Sequence, residues 1–338
     1  METKELLKLL CAAPGVSGDE AAARETVKTL FAPLGEVTTD ALGNVLCTYT
    51  GTKNGRKILL DAHLDQIGLC VLEITPEGFL RTDPCGGADK RVLCGAEVTV
   101  HGKQDLYGVV TSTPPHLQKD GDEKTLPDTI LIDIGLSADK AQMLVSAGDR
   151  VSLRHSFTEL FNELVSAPAL DDRAGIAVLY LALEILKIRG CTDTVTVVCS
   201  TREETTEGGA KAAAFNAQAD LCIAVDVSFA KTPDAKAEDC GELSKGPMIG
   251  IAPSLTHDVS VGLRQIAVEQ QIPYQLEVMG GSSGTNADVI AAEAGGVQTG
   301  LLSVPLRYMH TGIEVVSVKD VENTAQLLAN YILYGGLS

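Results

Sequence analysis

The chain has 338 residues, 45% hydrophobic and 21% charged with 33 glycines, a composition typical of a soluble globular protein long enough for two domains. Its formal net charge of −18 argues against a nucleic-acid partner or an anionic membrane surface, since both are themselves anionic. Nine cysteines without a Cys-x-x-Cys pair point to reduced thiols in a cytoplasmic protein, and away from a thiolate zinc site.

The first ten residues are charged and amphipathic, unlike a signal peptide, and the longest apolar run, 174–188, is interrupted by Glu184 and Lys187. Leu6, Leu9 and Leu10 predict a helix over 3–12, ended by Pro14-Gly15. Ser17-Gly18-Asp19-Glu20 has the form of a capping box and predicts a second helix to about residue 31. Residues 37–40 and 45–49 flank Gly43-Asn44 as a hairpin-like pair. A buried strand over 57–61 then runs into Ala62-His63-Leu64-Asp65-Gln66.

Between about 69 and 165 the texture changes to short alternating strands, at 69–74, 97–101, 107–111, 129–134 and 150–153. One helix is expected there, over 137–147, and the most mobile loop at 118–124. This pattern predicts a small β-barrel or sandwich inserted as a separate domain. Beyond it, helices are expected over 174–189, 209–216, 257–271, 286–294 and 317–334, and strands over 194–200, 221–225, 274–278 and 298–304. Alternating strands and helices on both sides of the insertion predict an α/β fold, a mixed sheet with helices on both faces, built from 1–68 and 166–338.

Four buried strands run into a potential metal ligand or catalytic acid: His63 with Asp65, Glu203 with Glu204, Asp226, and His310. Asp171 lies in the loop before a helix. Sites in α/β sheets form beyond the carboxyl ends of the strands, so these residues, distant in sequence, are placed to converge. Two imidazoles and several carboxylates suit zinc, cobalt or manganese, and more than four such groups can hold two ions. His63 and Asp65 share one side of an extended segment, so Asp65 can fix the imidazole. Glu203 and Glu204 point in different directions, leaving one for a metal and the other for substrate or water. Singly, each has a plainer explanation: a solvated loop acid, a core histidine, a helix cap at Asp171-Asp172. Their recurrence at matching strand ends sets them apart. Residues 280–285 are glycine-rich but lack the lysine of a phosphate loop. They read as a pocket-shaping loop whose backbone N–H groups, at Gly284 and Thr285, can face an oxyanion.

At these residues the chain resembles the M42 family of dinuclear metallo-aminopeptidases and is similar to the tetrahedral aminopeptidases. The resemblance runs nearly end to end. It rests on the order of Pro14-Gly15-Val16-Ser17-Gly18, Asp40 with Gly43-Asn44, Ala62-His63-Leu64-Asp65, Leu170-Asp171-Asp172-Arg173, Arg202-Glu203-Glu204, Asp226, Gly284-Thr285-Asn286-Ala287 and Arg307-Tyr308-Met309-His310-Thr311. It implies two divalent metal ions per subunit, zinc or cobalt. His63 and Asp226 would complete one site, His310 and Glu204 the other, and Asp171 would bridge them. Glu203 would be the general base, removing a proton from a water held by both ions, with Asp65 behind His63. The resemblance also implies a cis Asp171–Asp172 peptide, peptide substrates cut from the N-terminus, and a homo-oligomer assembled through the inserted domain, as a hollow tetrahedron of twelve.

The chain departs from the family pattern at Gln66, where a glutamate is usual, and at Arg202, where glutamine is common. Thr205-Thr206-Glu207-Gly208-Gly209 stands in place of the usual Val-Gly-Leu-Arg-Gly. None of these removes a ligand, so they bear on the pocket and substrate preference. Rival readings are another metal-dependent amidohydrolase (a deacylase or carboxypeptidase), a glucanase, and a metal-stabilised assembly protein without turnover.

Overall fold

The structure is a computed structural model describing all residues except 53–54, 115, 117–128, 234, 237, 239 and 335–338. The loop expected at 118–124 lies outside the described residues. Helices α1 (Thr3–Ala12) and α2 (Ala21–Phe31) open the chain, and each buries one stripe, Leu6, Leu7 and Leu10 on the first and Val27, Leu30 and Phe31 on the second. Ser17 does not cap α2, which starts too far beyond it. Its hydroxyl pairs with Thr205 at 3.0 Å, and Glu20 Oε1 accepts the Gly18 N–H at 2.6 Å. Strands β1 (Glu36–Thr39) and β2 (Val45–Tyr49) form the expected antiparallel pair, and β3 (Lys57–His63) follows.

Six strands then close a barrel. They are β4 (Gly68–Ile74), β5 (Leu80–Cys85), β6 (Glu97–His101), β7 (Asp105–Val110), β8 (Ile130–Asp133) and β9 (Arg150–Leu153), with α3 (Ala138–Leu144) before the last. Alternate residues such as Leu69 and Val71, Val98 and Val100, and Ile130 and Ile132 fill the interior. β5 escaped the sequence reading because Asp83 and Pro84 look like turn residues, yet it pairs with both β4 and β8.

The remaining elements are β10 (Thr158–Leu160), β11 (Leu164–Ala167), α4 (Leu170–Arg189), β12 (Thr194–Ser200), α5 (Glu203–Thr206), α6 (Gly208–Ala217) and β13 (Leu221–Phe229). After them come β14 (Met248–Ile251), α7 (His257–Glu269), β15 (Gln275–Val278), α8 (Asn286–Ala292), β16 (Gln298–Arg307), β17 (Glu314–Ser317) and α9 (Val318–Tyr334). Eleven strands make one mixed sheet, in the order β1-β2-β12-β3-β13-β16-β17-β11-β10, with β14 joining β16 to β15. Helices α1, α4, α7 and α9 pack on one face and α6 and α8 on the other, confirming the expected layers.

The four central strands β12, β3, β13 and β16 are parallel and buried on both faces, which explains their unbroken apolar runs. Their carboxyl ends therefore meet at one edge of the sheet. β13 and β16 run further than their apolar stretches, pairing as far as Phe229 with Leu306, so Asp226 lies inside a strand, opposite Ser303. No disulfide joins any of the nine cysteines, and no helix among the described residues is long and apolar enough to cross a membrane.

Candidate metal centre

His63 ends β3, and its Nε2 lies 2.9 Å from Asp171 Oδ1 and 3.9 Å from Asp226 Oδ1. On the other side of Asp171, its Oδ2 lies 3.5 Å from His310 Nε2, which is 3.4 Å from Glu204 Oε2. The donor atoms thus fall into two triads, His63–Asp171–Asp226 and Asp171–Glu204–His310, each with its atoms within 4.8 Å of one another. Asp171 is common to both and gives one oxygen to each histidine.

Three carboxylates hold this geometry from behind. Asp65 reaches His63 through its main-chain carbonyl, 3.0 Å from Nδ1, which sets Nε2 towards Asp171; the carboxylate, which the spacing favoured, stands 3.7 Å away. Instead the Asp65 carboxylate accepts the N–H groups of Glu203 and Glu204 at 2.9 and 3.2 Å, fixing the first turn of α5. The two glutamates therefore diverge as helical neighbours, after a left-handed Arg202 at φ 62°, and not as strand neighbours. Asp172 accepts the His63 and Gly175 N–H groups at 3.2 and 2.9 Å, and the peptide joining it to Asp171 is cis. Glu314, at the start of β17, accepts the N–H of Asp171 and that of His310, both at 3.1 Å, and so ties the two triads together. The sequence reading missed Glu314. A lone acid opening Glu-Val-Val-Ser was the available signal. It also missed the Gly86–Gly87 turn after β5, which leaves the barrel and presses on the site: a Cβ on Gly87 would lie 2.4 Å from His310 Nδ1. The next turn donates the Asp89 N–H to the His310 carbonyl at 3.3 Å.

The glycine loop behaves differently from expectation. Gly284 and Thr285 do line the cavity, but the Gly284 N–H donates to Asp288 Oδ2 at 3.0 Å. The Thr285 hydroxyl accepts the Ala287 N–H and caps α8. That α8 start brings Asn286 onto Asp61 and Ser200 at 2.8 and 3.0 Å, beneath the His63 strand end.

Burial pushes the Glu204 carboxyl up to about 10, helped by Asp171, and the Glu203 carboxyl up to about 7 against the pull of His63. Asp226 and Asp172 are likewise held well above the usual carboxylate range, first by burial. His63 stands well above an ordinary histidine: burial opposes its charge, but the Asp171 hydrogen bond and the Glu203 charge outweigh that. An excess of buried acids this dense calls for compensating positive charge at its centre. Glu204 Oε1 is buried with no hydrogen-bond partner, and the donors are nitrogen and oxygen only. Both features fit divalent cations of the zinc or cobalt type. The triads open into a cavity of about 770 Å³.

The model of the M42 glutamyl aminopeptidase family matches residues 43–327. The chain belongs to the M42 peptidase family. The lysyl aminopeptidase of Pyrococcus furiosus is 34% identical over 332 residues, covering 96% of this chain and 94% of that protein. A TET aminopeptidase from a marine sediment archaeon of the Thaumarchaeota superposes with a TM-score of 0.93, at 30% identity over 99% of this chain and 97% of the other. The Pyrococcus horikoshii TET1 peptidase, which can assemble into a tetrahedron or a large octahedral shell, matches with a TM-score of 0.86, at 32% identity over 97% and 98%. With these relatives the M42 chain is an aminopeptidase-type hydrolase of peptide bonds, carrying candidate metal-ligand groups as this metal-dependent family does.

Proposed function

We propose that this M42 peptidase removes N-terminal residues from peptides with two divalent cations, zinc or cobalt, in its two triads. His63, Asp171 and Asp226 would hold one ion and Asp171, Glu204 and His310 the other. Bound there, the pair would acidify water and polarise a carbonyl. Glu203 belongs to neither triad, yet its Oε2 lies 3.9 Å from His63 Nε2, at the cavity wall. That placement carries the reading: Glu203 takes the proton of the attacking water and hands it to the departing amine. Asp65 keeps Glu203 aimed through the α5 turn, while Glu314 and Asp172 hold the ligand-bearing backbone.

Residues 1–68 and 166–338 are proposed as the catalytic unit and 69–165 as an inserted unit that serves assembly, with one boundary corrected: β10 and the start of β11, before residue 166, pair in the catalytic sheet and not in the barrel. The assemblies of the horikoshii relative support a homo-oligomer here, with twelve subunits as the working number. Light scattering of the purified protein tests this; a monomer removes the assembly role. For the chemistry, aminoacyl anilides are offered before chelation, after it, and after zinc or cobalt is restored. Activity should vanish and return. Glu203→Gln should keep the metal but lower kcat by roughly 10²–10⁴-fold; near-normal turnover of that variant would sink the base assignment.

A further inference from the structure

The family resemblance leaves the choice of N-terminal side chain to the pocket walls. Two residues past Asp226 on β13 stands Ser228, about 7 Å further along the same face. Opposite Asp226 on β16 stands Ser303, with Met248 of β14 beside it. Both serine hydroxyls converge on one carboxylate, Glu277 of β15. Ser228 Oγ bonds Glu277 Oε1, and Ser303 Oγ bonds Oε2 at 2.8 Å. β15 alternates exposed and half-buried positions, and Glu277 takes an inward one.

Glu277 thus belongs to the same cavity as the triads and is held by neutral donors alone. Two hydroxyls leave acceptor capacity on its oxygens. None of the ion pairs among the described residues includes it. The described cavity lining holds no lysine or arginine that could answer it, and Glu207 and Glu238 add further negative charge to the walls. The lining of the same cavity also includes apolar side chains, among them Met248, Met279 and Leu301. A cavity that offers aliphatic wall together with a carboxylate lacking a cationic partner matches a lysine or arginine, with its methylene stem and terminal cation. A glutamyl side chain in the same cavity would meet like charge.

We propose that Glu277, positioned by Ser228 and Ser303, selects substrates whose N-terminal residue is lysine or arginine. The inference rests on the aminopeptidase reading above, and its test separates the two.

Metal-loaded protein is assayed with lysyl, arginyl, leucyl and glutamyl anilides, and its binding of L-lysinamide is compared with that of L-norleucinamide, the same chain without the terminal amine. Wild type should favour lysyl and arginyl over leucyl substrates, cleave glutamyl least, and bind lysinamide more tightly than norleucinamide. Glu277→Gln keeps the shape and both serine neighbours, one hydroxyl turning to accept from the new amide N–H. It should lower the lysyl-to-leucyl ratio of kcat/KM by about 10–100-fold, the range for a hydrogen bond to a charged group. Glu277→Lys should shift the preference towards glutamyl. A Glu277→Gln variant that slows all substrates equally, or wild type without lysinamide preference, overturns the proposal. Lysinamide selectivity without turnover of any substrate would keep the subsite and overturn the hydrolase reading alone.

Discussion

Replacing Gly87 by alanine tests whether the barrel braces the metal centre. The added Cβ would lie 2.4 Å from His310 Nδ1 and 2.7 Å from its Cε1. Relief to an ordinary contact requires a relative shift of about 1 Å. The imidazole cannot absorb that without leaving its place, 3.4 Å from Glu204 and 3.5 Å from Asp171, because metal–ligand distances tolerate only about 0.2 Å. If the ring moves, the triad containing His310 should lose about 10–100-fold in metal affinity, and kcat/KM should fall about 100-fold, the usual cost of a 1 Å misplacement. The assay is metal content after dialysis against graded free zinc, read beside anilide hydrolysis and the melting temperature. Gly280→Ala, whose Cβ meets nothing within 4 Å, is the matched control. A Gly87→Ala protein with wild-type metal affinity and turnover would refute the reasoning, since the barrel turn would then yield without disturbing His310.

Glu314→Gln keeps the shape but weakens its grip on the Asp171 and His310 amides, so metal affinity should drop about 10-fold with little change in fold, measured by competition with a chelator. Asp65→Ala frees the first turn of α5 and is expected to cost about 1–2 kcal/mol in denaturant unfolding while lowering kcat more than KM. The metal-free protein should melt at lower temperature as pH rises from about 5 to 8. Folded Glu203 and Glu204 bind protons more tightly than their unfolded counterparts, and the charge on His63 likewise contributes less as pH rises through its raised value, so both effects act in the same direction. Adding zinc should flatten that slope in differential scanning fluorimetry; a slope of opposite sign would count against the acid-rich centre.

The parallel core was legible because strands buried on two faces spell out continuous apolar runs, and His63 and Asp226 were found because each interrupts or ends one. The short strands β14 and β17 were missed although others of four residues, β1, β8, β9 and β15, were read; the pairing of β14 and β17 with β16 is settled by distant chain. The same limit hid Glu314, Glu277 and the Gly87 turn, whose roles come from neighbours far away in sequence. Asp65 was found for its spacing to His63, while its carboxylate serves a helix turn 138 residues later. The Gly284 N–H was misread for a local reason: Asp288, four residues on, takes it.

The sharing of Asp171 has a consequence for how the molecule comes into being. Its partner His63 lies 108 residues before it and its anchor Glu314 lies 143 after it. Pairings of such sequence separation form late, after the loop-closure entropy of nearly the whole chain has been met. A half-folded chain, or a fragment lacking either end, offers a cation only scattered carboxylates. Tight cation uptake is therefore a property of the finished topology, and during refolding it marks the arrival of the last long-range contacts.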